Sequence, residues 1–191
     1  MIDNSPHVAT AFVTCSLRKE DRPFVDYVCS ILDYHGIKPF GTVGKFSASP
    51  ENPVILMKKN IPRADMLVVC ATPRYMQRDI STGQVSHGLS EMVHVETGMA
   101  YAFGKPVVVF VQEGTNVGSF LPNISQYVVL DGRVEDYRMQ EGTIYSLLNN
   151  AYGIVRELRK NKGVRATQDL VVTGLALYGG LKLAQALFSK E

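Results

Sequence analysis

Five short apolar runs between residues 8 and 130 set the main limit on what this chain can fold into. They are VATAFVTCS (8–16), IKPFGTV (37–43), MLVVCAT (66–72), PVVVFVQ (106–112) and QYVVL (126–130). Such short, near-continuous apolar runs mark strands buried on both faces. Helical patterns lie between them. Residues 22–35 place Phe24, Val28, Ile31 and His35 at helical spacing, with Asp21 as the cap and Gly36 as the stop. Further helices are expected over 53–60, entered through Pro50 and Pro53, and over 86–103. A last one is expected over 141–160, with Ile144, Leu147, Leu148, Ala151 and Val155 facing inward. Each crossover between parallel strands is right-handed and has to cover the sheet. The expected fold is therefore α/β, an open five-stranded parallel sheet with helices on both faces. Ligands of such sheets bind at the carboxyl ends of the strands, where the strand order reverses.

The composition agrees: 46% of the 191 residues are hydrophobic and 20% charged, which suits a globular domain. The expected division is an α/β domain over 1–160 and a helical tail over 161–191. A net charge of +2 with scattered basic residues gives no reason to expect a nucleic-acid partner. Cys15, Cys29 and Cys70 form neither a CxxC pair nor a zinc spacing, so thiols in a reducing cytoplasm are expected. The opening MIDNSPHV lacks the basic and apolar regions of a signal peptide. The tail segment DLVVTGLALYGGLKLAQALFSKE is apolar apart from a strip holding Lys182, Gln185 and Ser189. Lys182 and three glycines argue for docking on the domain or on a neighbouring subunit, ahead of contact with a membrane at 170–188.

The stretch EMVHVETGMAYAFGKPVVVF (91–110) contains an anomaly. On a helix, Met92, Met99, Phe103 and Ala100 form an apolar stripe, and Glu96 falls in the middle of it. A carboxylate taken into a low-dielectric interior costs several kcal/mol unless it is paired. Four readings stand side by side: a different helical register, a place at the rim of the stripe, a structural partner for Arg18, Arg74 or Lys45, and a functional carboxylate in a cleft. Gly98 and Ala100 are expected to let this helix approach the strand ends closely.

Three blocks of the sequence resemble Toll/interleukin-1 receptor (TIR) domains in composition and order. AFVTCSLRKEDRPFVDYVCSILDYHGIKPF looks like the family's first strand, charged loop and first helix. IPRADMLVVCATPRYM resembles its third-strand segment, and VETGMAYAFGKPVVVFV its bacterial Glu-x-Gly-x-Ala helix with the strand after it. The similarity spans about residues 8 to 131. It implies a flavodoxin-like fold and cleavage of the nicotinamide–ribose bond of NAD. NAD is then the substrate, no separate cofactor is needed, and the family's catalytic glutamate falls on Glu96. It also implies a homo-oligomer formed through TIR–TIR contacts or the tail helix. The last block is similar as well to nucleoside 2-deoxyribosyltransferases, whose nucleophilic glutamate again matches Glu96. Both resemblances imply chemistry on an N-glycosidic bond; a non-catalytic nucleotide-binding or TIR–TIR module is the third reading.

Around Glu96, the substrate-binding residues expected are Ser16, Arg18, Gly44, Lys45, Phe46 and Tyr75. Ser16 and Arg18 follow the first strand at its carboxyl end, and Gly44, Lys45 and Phe46 lie in the loop GTVGKFSASPENP. Tyr75 sits with Arg74 and Arg78 in PRYMQRDISTGQVSHGLS (73–90), a segment longer than a TIR domain normally has there. Cys15 stands where that family usually has an aromatic residue, and the second-strand loop lacks its Arg-Asp-x-x-Pro-Gly signature. His87, Glu91 and His94 share a spacing that can bind metal. A solvated helix face gives the same pattern, and no metal is expected.

Overall fold

In the computed structural model, residues 7–41 and 52–160 are described. Gly44, Lys45, Phe46 and the tail at 161–191 lie outside the described residues. Strands β1 (Ala9–Cys15), β2 (Ile37–Phe40), β3 (Met66–Ala71), β6 (Val107–Gln112) and β8 (Tyr127–Leu130) form a parallel sheet in the order β2-β1-β3-β6-β8. This is the open five-stranded parallel sheet expected from the five apolar runs, and it is flavodoxin-like, as the resemblance implies. The order reverses between β1 and β3, so a crevice opens at their carboxyl ends. Cys15 and Cys70 sit opposite one another in the β1–β3 register, buried with Cys29 among apolar neighbours.

Helices α1 (Arg22–Tyr34) and α5 (Val134–Lys160) cover one face of the sheet. Helices α2 (Pro53–Asn60), α3 (Glu91–Ala102) and the short α4 (Phe120–Ile124) lie on the other side, where Met57, Val93, Ala100 and Leu121 join the second core. Alternation along β1 divides the core accordingly. Ala9, Ala11, Val13 and Cys15 face α1 and α5, while Phe12 faces the other layer. The inward residues expected on α5 are all buried, but the helix starts at Val134, two turns before the expected start. At the amino edge of the sheet, Asp65 ties the layers together. Its carboxylate accepts from Thr10 N and Thr10 Oγ1, both at 2.9 Å, and pairs with Arg159 of α5 at 2.7 Å. Burial pushes this carboxyl up, yet Arg159 and Thr10 outweigh it and hold it below its ordinary value.

The segment 73–90 is not a loop, and its His87 is not helical. Strands β4 (Tyr75–Arg78) and β5 (Val85–Gly88) pair antiparallel, and β7 (Thr115–Asn116) adds to β5 in parallel as a small second sheet. Asp79 makes the turn: its Oδ1 accepts from Ser81 N at 2.8 Å, Ser81 Oγ at 2.6 Å and Thr82 N at 2.8 Å, and Gly83 supplies a positive φ of 72°. Helix α3 therefore starts at Glu91 rather than 86, and among the described residues no cluster of His, Cys, Asp or Glu is able to hold a metal.

Candidate active site

Two loops and two helix starts meet at the crevice. The chain leaving β1 supplies Ser16, Leu17 and Arg18, the chain leaving β3 supplies Arg74, the start of α2 supplies Asn52 and Val54, and α3 supplies Ser90, Met92 and Glu96. The cleft they line has a volume of about 670 Å³. A second cleft of about 650 Å³ lies beside β8 and α5. Its described lining residues, which include Ser125, Tyr127, Thr143 and Ser146, contain no carboxylate and no cation.

The buried face of α3 is Val93, Glu96, Thr97 and Ala100, one helical stripe at spacing i, i+3, i+4, i+7. The expected stripe was misplaced by part of a turn, since Met92 is 43% exposed and Phe103 48% exposed. Gly98 does not bring the helix close to the strands. A Cβ there would meet nothing within 4 Å, and the close contact is made at fully buried Ala100. Thr97 keeps its hydroxyl satisfied inside the helix by donating to Val93 O at 2.6 Å. The helix then stops at Gly104, with φ 63°, before the Lys105-Pro106 entry into β6.

Glu96 is 6% exposed and makes no ion pair with any described residue. Burial pushes its carboxyl up from 4.5 to about 7, and nearby Thr14 of β1 acts in the opposite direction without outweighing it. The Thr14 hydroxyl falls short of a regular hydrogen bond and is itself buried without a partner among the described residues. The side chain is thus neither at a rim nor a structural counterion for Arg18 or Arg74. At neutral pH it is divided between acid and carboxylate, a state suited to nucleophilic or general acid–base work.

Arg18 and Arg74 are two arginines in different circumstances. Arg18 grips buried Asp21 with both arms, Nε to Oδ2 at 2.8 Å and Nη2 to Oδ1 at 2.9 Å. Nη2 also donates to the carbonyl of Pro73. Its charge is neutralised, and Asp21 raises its pKa further. Asp21 makes no side-chain cap to α1, contrary to the sequence expectation, because the arginine occupies its carboxylate. Arg74 has no acidic partner among the described residues and lies over the Tyr75 ring, Cζ 5.4 Å from the centroid. Its backbone N–H donates to Gly88 O at 2.8 Å, which fixes it at the root of the β4–β5 hairpin.

Of the expected site residues, Ser16, Arg18 and Glu96 come together in the cleft. Tyr75 does not line it and instead supports Arg74 from the hairpin. Gly44, Lys45 and Phe46 lie outside the described residues. Ser16 is buried, with its Oγ 3.5 Å from Arg18 N. Asn52, Val54, Ser90 and Met92 were not anticipated. Ser90 had a legible signal, since a serine followed by an acidic residue marks a helix start. Asn52 had one too, standing just before Pro53, and its Oδ1 accepts from Val54 N at 2.9 Å.

The fold and site define an α/β domain with a buried carboxyl group, unpaired among the described residues, at its topological switch point. No family model matches the chain, and no curated protein matches it. Among solved structures the chain is similar to BlsM, at 20% identity over 84% of this chain and 99% of that one, with a TM-score of 0.50. It is also similar to the Clostridium botulinum CMP N-glycosidase BcmB, at 16% identity over 71% of this chain and 98% of that one, with a TM-score of 0.46. At these identities the likeness concerns the fold alone. Neither structure is named as a TIR domain, so they add nothing to the NAD-cleaving reading of the sequence.

Proposed function

We propose that this protein is an enzyme that cleaves the N-glycosidic bond of a nucleoside or nucleotide, with Glu96 acting at the anomeric carbon. The observation that carries the reading is a buried carboxyl group, without a counterion among the described residues, lining a cleft of about 670 Å³ at the carboxyl ends of β1 and β3. Cleavage of such a bond passes through an oxocarbenium-like state, in which positive charge develops on the sugar ring. An ionised Glu96 stabilises that charge across a low-dielectric wall, or captures C1′ as a glycosyl ester that water or an incoming base then opens. The departing base leaves with the bonding electron pair. Leu17, Val54 and Met92 offer the apolar surface on which a flat base can rest. The sequence similarity to nucleoside 2-deoxyribosyltransferases supports this reading through the same Glu-x-Gly-x-Ala pattern at Glu96.

NAD cleavage is the second reading, and one observation favours it. Glu96 is the sole carboxyl group among the described lining residues, and none of the others is an acid that would protonate a neutral leaving base. Cationic nicotinamide needs no such proton.

The test is release of free base from a panel of ribonucleosides, deoxyribonucleosides, their 5′-monophosphates and NAD, followed chromatographically. Release from at least one of them, lost in Glu96→Gln, is the expected result. Release that survives Glu96→Gln overturns the role of Glu96. Tight binding of a panel member without any release would identify a non-catalytic binding module instead.

A further inference from the structure

Among the described residues the cleft is lined by two cations, Arg18 and Arg74, and of these Arg18 has its charge matched by a described carboxylate. Arg18 is committed to Asp21 and Pro73, and its position is set by two loops. Arg74 lines the same cleft as Glu96, half-buried, with no acidic partner among the described residues. It is nonetheless held in place. The Arg18 latch grips Pro73 on one side, the Arg74 N–H to Gly88 O bond fixes its backbone, and the Tyr75 ring supports its guanidinium. A pre-positioned guanidinium lining a cleft is a receptor for a planar or tetrahedral oxyanion, since its fork of donors matches phosphate oxygens. Ser90 stands in the same cleft, and its hydroxyl makes no capping bond to α3. The whole device hangs on the β4–β5 hairpin, an addition to the parallel sheet.

We infer that Arg74 recognises a phosphate carried by the sugar of the substrate, so that the site selects a nucleotide over the corresponding free nucleoside. The inference rests on the glycosidase reading and deepens it by naming the substrate class. The phosphate belongs either to a nucleoside 5′-monophosphate or to the diphosphate of NAD, and the assay has one arm for each.

The experiment compares kcat/KM for base release from each ribonucleoside, its 5′-monophosphate and NAD in the full-length protein. Wild type is expected to prefer a phosphorylated substrate. Arg74→Ala is expected to reduce the ratio of phosphorylated to unphosphorylated kcat/KM by about 10- to 100-fold, the loss of one or two charge-assisted hydrogen bonds. Arg74→Lys should recover part of that ratio. Arg78→Ala, which removes an exposed charge from the same hairpin, should leave it unchanged. A wild type indifferent to phosphate, or an Arg74→Ala protein with the wild-type ratio, overturns the inference while the glycosidase reading stands. Should no base be released from any substrate, the glycosidase reading fails. Calorimetry of the Glu96→Gln protein with the same monophosphates, nucleosides and NAD then decides the inference. Tighter binding of a phosphorylated ligand that disappears in the double variant with Arg74→Ala upholds it, and equal or absent binding refutes it.

Discussion

Helices α5 and α3 pack against opposite faces of the same sheet with different buried residues. α5 buries Ile144, Leu147, Leu148, Ala151 and Val155, and α1 beside it buries Phe24, Val25, Val28, Cys29, Ile31 and Leu32. α3 buries Val93, Glu96, Thr97 and Ala100, so half of its inward stripe is polar. The α1/α5 face gains hydrophobic stability from every side chain the two helices turn inward. The α3 face gives up part of that gain to hold a carboxyl group and the Thr14 hydroxyl away from water. Stability and chemistry are therefore separable by face.

Four effects, at three residues, can break the separation. Glu96→Gln keeps the shape of the cleft and removes the carboxylate, and is expected to lower base release by about 1,000-fold or more. On the other face, Phe110→Ala should cost about 3–5 kcal/mol in urea denaturation, because that ring is fully buried against the α1/α5 core. Activity per folded molecule should survive it, and a loss as large as that of Glu96→Gln would show that the faces are coupled. The third effect is a pH dependence of stability. Glu96 ionises at about 7 in the folded protein and near 4.5 when unfolded. Between those values the unfolded chain binds fewer protons, so stability falls as pH rises, by about 3 kcal/mol in all. Urea melts at pH 4.5 and pH 8 should show that difference shrink in Glu96→Gln. In the chemistry proposed here the ionised form of Glu96 acts on the sugar, so kcat/KM should rise with pH through about 7 in wild type. The smallest effect belongs to Thr14→Val, which removes an unpartnered buried hydroxyl. It should be neutral or stabilising by about 1 kcal/mol in the same melts. It should also move the rise of kcat/KM to higher pH, because the downward pull of Thr14 on Glu96 is lost.

The two faces were unequally legible in the sequence. The apolar face was read almost residue by residue, since Ile144, Leu147, Leu148, Ala151 and Val155 recur at one helical period with polar residues between them. On α3 the hydropathy pattern ranks Met92 and Phe103 above Thr97, and the packing ranks them the other way. Thr97 can be buried because its hydroxyl bonds to its own helix, and hydropathy carries no record of that. Glu96 is conspicuous as a charge amid apolar neighbours wherever the stripe is drawn, but only the two family resemblances single it out for chemistry; the packing adds its burial. The β4–β5 hairpin was missed for a different reason. All four residues of β4 are exposed, so its strands leave no trace of alternate burial, and Asp79 makes the turn through side-chain hydrogen bonds. Asp21 had two legible uses, as a helix cap and as the partner of an arginine three residues earlier. Only packing against Pro73 shows that the arginine claims it.

The strand order described above also bears on how the chain is made. After β2 and β1, the strands β3, β6 and β8 join one edge of the sheet in the order in which they are synthesised. A chain emerging amino end first can dock each new strand on the edge just completed, without reopening a pair already formed. The cover provided by α5 comes last, so until residue 160 leaves the ribosome the most apolar face of the protein is only half roofed, by α1 alone. The nascent chain is consequently most prone to aggregate or to engage a chaperone late in synthesis, when its sheet is nearly complete.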